Sequence, residues 1–140
     1  MTITTTTTAT TTAIDRFLDA IAAGHGVPAE LLAPDTVLDA TVPHWRFTVH
    51  GAEPVARQYR SWFAHPAELE ELERLPVDGG EVVTYLATWV EGGVPHAAHH
   101  CHRIRLDADG RIAFDRFFCG GVWDAARLAE MAAAASHHAG

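Results

Sequence analysis

The residues best placed to do chemistry are His102 and Asp115, on two consecutive strand candidates, 98–106 and 111–119, joined by Asp107-Ala108-Asp109-Gly110. If these form a hairpin, a two-residue and a four-residue loop give the same pairing. His102 lies opposite Asp115, Ile104 beside Ala113 and His100 beside Phe117. Directly paired side chains have Cβ atoms roughly 5 Å apart. A carboxylate at that distance favours the charged imidazole, so the pair can act as a general base or acid near neutral pH. His100 faces the same side, either as a second acid/base or as a pocket wall, and strand alternation points Cys119 there too.

The same residues admit other chemistries. His100-x-His102 puts two imidazoles on one strand face, where they could bind zinc or iron with Asp115 or Cys119 as third ligand. No complete ligand motif is present, so the expectation is no metal and no organic cofactor. Cys119 is a nucleophile if a histidine lowers its pKa, or else a buried inert thiol. Asp39, between Leu38 and Ala40, is either a third ionisable group in the pocket or an exposed edge carboxylate. Trp45, after Pro43-His44, is the expected aromatic wall. His96 and His99 read as surface residues, and His137 and His138 as part of a solvated tail.

These residues need a scaffold. Residues 1–12, almost all threonine, read as a disordered leader, and one domain follows over 13–135 with a tail at 136–140. Ile14, Phe17, Leu18 and Ile21 follow a helical stripe that stops near Gly24, and 28–32 suits a short second helix. Residues 36–42 and 45–49 read as a first hairpin. Val55, Tyr59, Trp62 and Phe63 give a helix over 53–63, with Pro54 in its first turn. Strands follow at 69–77 and 82–90, then the histidine hairpin, and an alanine-rich helix at 124–135. Helices first and a long antiparallel sheet after indicate an α+β domain with helices covering one sheet face.

Composition narrows the classes. A chain of 140 residues, 48% hydrophobic, suits one domain with a core. A net charge of −8, with ten arginines and no lysine, offers no field for a phosphate backbone, so nucleic acid is not an expected partner. Two cysteines form no disulfide framework, no signal-peptide pattern is present, and no apolar run reaches the roughly 20 residues of a membrane span. A cytoplasmic protein without membrane anchoring is the expectation.

The run Phe17 to Gly24, then Leu32-Ala33-Pro34-Asp35-Thr36-Val37-Leu38-Asp39, the helix after Gly51 and Gly110-Arg111-Ile112 together resemble the nuclear transport factor 2-like superfamily over roughly 13–124. Val94 to His99 and Cys119-Gly120-Gly121-Val122-Trp123 resemble a bacterial branch of it. Members include SnoaL-like polyketide cyclases, ketosteroid isomerases and limonene epoxide hydrolases. The resemblance implies a cystatin-like cone, a curved antiparallel sheet wrapped around N-terminal helices as a barrel with an apolar pocket, and a homodimer. It places His102 at an inward position. The three ketosteroid isomerase groups fall on Phe17, His102 and Ala40, and none is retained. The Arg-x-Asp of the epoxide hydrolases is absent from 82–90, and their last-strand aspartate falls on Phe117.

The expected function is a cofactor-independent acid/base enzyme, a cyclase, isomerase or dehydratase, acting on a small apolar carbonyl- or epoxide-bearing, polyketide-like metabolite. His102, Asp115 and His100 are its catalytic candidates. Phe17, Asp39, Trp45, Tyr59, Phe117 and Cys119 are the expected substrate contacts. A non-catalytic small-molecule-binding protein and a metal-dependent enzyme using the His-x-His remain the alternatives.

Overall fold

The structure is a computed structural model that describes residues 11–139, with only the backbone described for 136–139. The threonines at 1–10 and the side chains of His137 and His138 therefore lie outside the described residues. Helix α1 spans Ala13–Ala23. Thr12 caps it: its hydroxyl accepts from the Asp15 N–H, and the Asp15 carboxylate accepts from the Thr12 N–H. The stripe Ile14, Phe17, Leu18 and Ile21 is buried. The short second helix is a single 3₁₀ turn, Ala29–Leu31. Helix α2 spans Ala52–Trp62 and buries Val55, Ala56 and Tyr59.

Six strands follow the expected order but run longer: β1 Leu32–Val42, β2 Trp45–His50, β3 Glu68–Val77, β4 Gly80–Glu91, β5 Val94–Leu106 and β6 Ile112–Asp124. Pro95 is tolerated because it lies past His96, the last residue of β5 that β6 pairs. Helix α3 spans Ala125–Ala139, so the backbone of the expected tail is largely helical.

The sheet is curved and open, ordered β2-β1-β6-β5-β4-β3. Its pairs are antiparallel except β1 with β6, which run parallel and join the first hairpin to the last. Residues of one alternation, Leu38, Ala40, Val83, Tyr85, Ala87, His102, Ile104 and Phe117, are buried with α1 and α2 in the core. The opposite alternation carries Asp39, Arg103 and Arg116. Turn chemistry fixes two hairpins. Gly92 and Gly93, both at positive φ, form a two-residue loop that pairs Glu91 with Val94. Pro43-His44 joins β1 to β2 in two residues, with His44 at φ 76°.

The β5–β6 register corrects the expectation. His102 is opposite Phe117, Ile104 opposite Asp115 and His100 opposite Cys119, a slip of two residues. One residue comes from the loop, which spans 107–111 and closes with the Asp107 N–H donating to the Arg111 carbonyl at 2.8 Å. The other comes from an irregularity between Leu106–Ile112 and Arg105–Phe114, where Ala113 is the extra residue. Either shift alone would have turned Asp115 to the other face; together they preserve it.

Candidate functional site

Where α1 and α2 end, the concave face of the sheet is left open as a cavity of about 550 Å³. Its walls come from Ile21 at the end of α1, Gln58, Trp62 and Phe63 from α2 and just beyond, Pro43, Trp45 and Phe47 from the first hairpin, and Ala87, Trp89, Ala98, His100, Phe117 and Cys119 from β4 to β6. Most of this surface is apolar and aromatic, as in small-molecule sites, and the volume is within their usual range of roughly 300–1,000 Å³. Trp45 is 64% exposed and forms part of the rim.

Of the catalytic candidates, only His100 lines the cavity. His102 and Asp115 lie in the core behind it, fully buried, with Phe17 edge-on to the His102 ring at 5.2 Å between centroids and Phe117 tilted over it at 4.7 Å. They nevertheless meet, diagonally across the strands: His102 Nδ1 lies 2.9 Å from Asp115 Oδ2 and 3.2 Å from Oδ1.

Two tyrosines extend this contact into a chain. The Tyr59 hydroxyl donates to Asp115 Oδ2 at 2.6 Å. The Tyr85 hydroxyl lies 2.9 Å from His102 Nε2 and 3.1 Å from His100 Nδ1. Burial, then the Asp115 charge, raises both phenols well above their ordinary pKa, so both keep their protons. Asp115 is the acceptor that Tyr59 and His102 Nδ1–H share. With one proton on each imidazole, His102 Nε2 accepts from Tyr85, Tyr85 accepts from His100 Nδ1–H, and the other His100 nitrogen carries a lone pair. That nitrogen, Nε2, has no hydrogen-bond partner among the described residues. Burial, reinforced by His102 and His99, pulls the His100 pKa down to about 3.

The remaining expected contacts divide. Trp45, Phe117 and Cys119 line the cavity. Burial raises the Cys119 pKa and outweighs the opposing effect of the Gly121 N–H, which its sulfur accepts at 3.3 Å, so the neutral thiol is the favoured form and a nucleophilic role gains no support. Phe17 and Tyr59 are buried core residues that do not line the cavity. Tyr59 reaches the site only through Asp115. Asp39 lies on the other sheet face because its neighbours Leu38 and Ala40 occupy the core. There it accepts from Arg46 Nε and a terminal nitrogen at 2.9 and 2.7 Å, with Arg116 Nε 3.4 Å away. Hydrogen bonds from Arg46 hold its carboxyl below the usual range.

The His-x-His pair converges on the Tyr85 hydroxyl. Among the described residues no group of three or more His, Cys, Asp or Glu is placed to hold a metal ion. His99 is exposed as expected, whereas His96 is half-buried and stacks on Trp89 at 5.8 Å. The sequence pattern gives Tyr59 as a substrate contact rather than a partner of Asp115, and it does not reveal the bridging role of Tyr85 or the lining residues Gln58 and His65. Tyr85 carried a usable signal. A two-residue Gly92-Gly93 loop places Tyr85 directly opposite His100, the pairing observed.

No protein-family model matches the chain, and no curated protein matches its sequence. Solved structures do match. A protein from Catenulispora acidiphila DSM 44928 with a ketosteroid isomerase-like fold, solved in complex with trimethylamine, has a TM-score of 0.61 at 13% identity, covering 80% of this chain and 88% of its own. An NTF2-like protein from Cytophaga hutchinsonii ATCC 33406 has a TM-score of 0.55 at 11% identity, covering 76% of this chain and 96% of its own. The chain has the NTF2-like fold. SalBIII, an epoxide hydrolase/cyclase-like enzyme with a role in pyran ring formation in the polyether salinomycin, shares this NTF2-like fold at a TM-score of 0.53 and 13% identity, covering 68% of this chain and 78% of its own. Among the described residues no helix is long and apolar enough to cross a membrane.

Proposed function

We propose that this protein is an acid/base enzyme that rearranges a small apolar carbonyl- or epoxide-bearing metabolite, by cyclisation, isomerisation or dehydration. The observation that carries the reading is His100: an imidazole in the wall of an apolar cavity, anchored through Nδ1 to a buried polar chain, with Nε2 unpartnered. A buried chain of five ionisable side chains is costlier than apolar packing of the same shape, and such groups concentrate at functional sites. His100 is the group that touches substrate. Its Nε2 removes a proton next to a carbonyl or from an attacking hydroxyl, and the aromatic walls exclude water. Gln58, in the lining, carries an amide that can donate to a developing oxyanion. SalBIII supports the ring-forming variant as an analogy of fold.

The test is proton exchange from a panel of ketones, β-keto esters and epoxy-ketones in D₂O, with product formation followed by NMR. Wild-type protein should accelerate exchange or conversion of at least one member. His100→Asn should lower that rate by roughly 10²-fold or more, and Asp39→Asn should leave it unchanged. An unchanged rate in His100→Asn would refute the assignment.

The second reading, a non-catalytic binding protein, is favoured by one observation: His102 and Asp115 do not reach the cavity. Saturable binding of panel members without exchange or conversion would establish it. Homodimerisation, suggested by the fold resemblance, is tested by sedimentation equilibrium.

A further inference from the structure

We infer that His100, Tyr85 and His102 form a proton relay in which a proton taken from the cavity is stored on His102, so that His100 changes from base to acid without becoming charged. The inference rests on His100 as the substrate-facing group and adds where the proton goes.

The geometry defines two states. In the first, each imidazole carries one proton. His102 Nδ1–H donates to Asp115, the Tyr85 hydroxyl donates to His102 Nε2, and His100 Nδ1–H donates to Tyr85. The His100 Nε2, on a ring that lines the cavity and without a hydrogen-bond partner among the described residues, is then an acceptor. When it takes a proton, a substrate C–H or O–H bond breaks and Nε2–H forms. His100 Nδ1–H passes its proton to the Tyr85 oxygen, and the hydrogen that Tyr85 held moves to His102 Nε2. His100 ends neutral with its proton on Nε2, Tyr85 is again a phenol, and His102 is an imidazolium beside the Asp115 carboxylate. The substrate holds the electron pair, so charge and atoms balance. Run backwards, the sequence lets Nε2–H protonate a different substrate atom. One nitrogen thereby serves both halves of a redox-neutral rearrangement.

Each link is within hydrogen-bond reach, the longest being 3.1 Å. The chain has one charged terminus. Asp115 faces His102 from β6, Tyr85 from β4 and His100 from its own strand, while Tyr59 of α2 reaches it through Asp115. Phe17, Phe63 and Phe117, whose rings also pack near it, are uncharged. A positive charge is therefore compensated at His102. At His100, whose titratable neighbours are His102, His99, Tyr85 and the Cys119 thiol on the paired strand, no carboxylate among the described residues is in hydrogen-bond contact. Burial also disfavours the charged form of His100 itself. Tyr85 is the positioning residue on which the transfer depends, because no direct hydrogen bond joins the two imidazoles among the described residues.

The test uses ¹⁵N-histidine-labelled full-length protein without substrate, with imidazole nitrogens followed by long-range ¹H–¹⁵N NMR as pH is lowered from 8. His100→Gln and His102→Gln spectra assign the signals. The expected result is a proton on His100 Nδ1 at pH 8. As His102 gains its second proton, the His100 proton should change from Nδ1 to Nε2 with the same midpoint. In Tyr85→Phe, which retains the ring and removes the bridge, the His100 change should no longer follow His102. Any of three results in wild-type protein overturns the relay: a proton on His100 Nε2 at pH 8, a second proton on His100 before His102, or no second proton on His102 down to the pH of unfolding. Coupling that persists in a folded Tyr85→Phe overturns it as well. If that variant does not fold, the wild-type result decides. Failure here with His100-dependent turnover intact removes the relay and leaves the base; absence of turnover with the coupled change intact removes the enzyme reading instead.

Discussion

Lowering the pH from 7 to 5 should expose the cost of keeping His100 uncharged. Its imidazole is held at about 3 in the fold against 6.5 for an unperturbed histidine, and burial is the main cause. A histidine with a depressed folded pKa gives its full stabilisation above the unfolded value and loses it as pH falls toward the folded one. Between pH 7 and pH 5 the unfolded chain goes from about a quarter of a proton bound at this position to nearly a full one, while the folded chain binds almost none. At 1.36 kcal/mol per pH unit of full proton difference, the loss is about 2 kcal/mol. Other groups titrate over the same range, nine further histidines among them. The relevant quantity is therefore the difference between two differences. Urea unfolding of wild-type protein and of His100→Asn, followed by tryptophan fluorescence at both pH values, gives four free energies. The wild-type protein should lose about 2 kcal/mol more on acidification than the variant does. Equal losses would refute the argument, because they would mean that His100 either is solvated enough to ionise in the fold or is protonated there with compensation.

Three further outcomes follow from the packing. Tyr59→Phe removes a buried donor to Asp115, and unfolding at pH 7 should show a loss of about 1.5–3 kcal/mol, the usual range for a hydrogen bond to a charged group. Gly80→Ala places a Cβ against the Ile104 carbonyl oxygen of the neighbouring strand; backbone must move, and thermal unfolding should register at least about 2 kcal/mol of destabilisation. Trp45→Ala, at the exposed rim, should weaken binding of the fluorescent apolar probe ANS to the cavity several-fold while shifting unfolding by no more than about 0.5 kcal/mol.

The local pattern of this chain carries much of the fold. Phe17, Leu18 and Ile21 share one face of a 3.6-residue helix, and the alternation through His100, His102 and Ile104 defines a strand face, because both periodicities are properties of the backbone alone. The two-glycine turn at Gly92-Gly93 even fixes Tyr85 opposite His100, since few backbone conformations close so short a loop. Alternation also argues against Asp39 as a pocket group: with Leu38 and Ala40 inside, the residue between them points out.

What local pattern could not fix was position along a face. Whether His102 meets Asp115 directly or diagonally depends on a five-residue loop and the extra residue at Ala113, and neither follows from the alternation of either strand. The cavity is likewise a property of the assembly: it exists where α1 and α2 stop short of the strand ends, so His100 borders open space while His102, two residues on, is sealed under Phe17. Tyr59 comes to Asp115 from 56 positions away in the chain. Within an unbroken stretch of one strand, the sequence alone determined which side chains share a face, because that needs only a period of two. Which of them touch one another, and which one touches a ligand, was decided by tertiary contacts between elements distant in the chain.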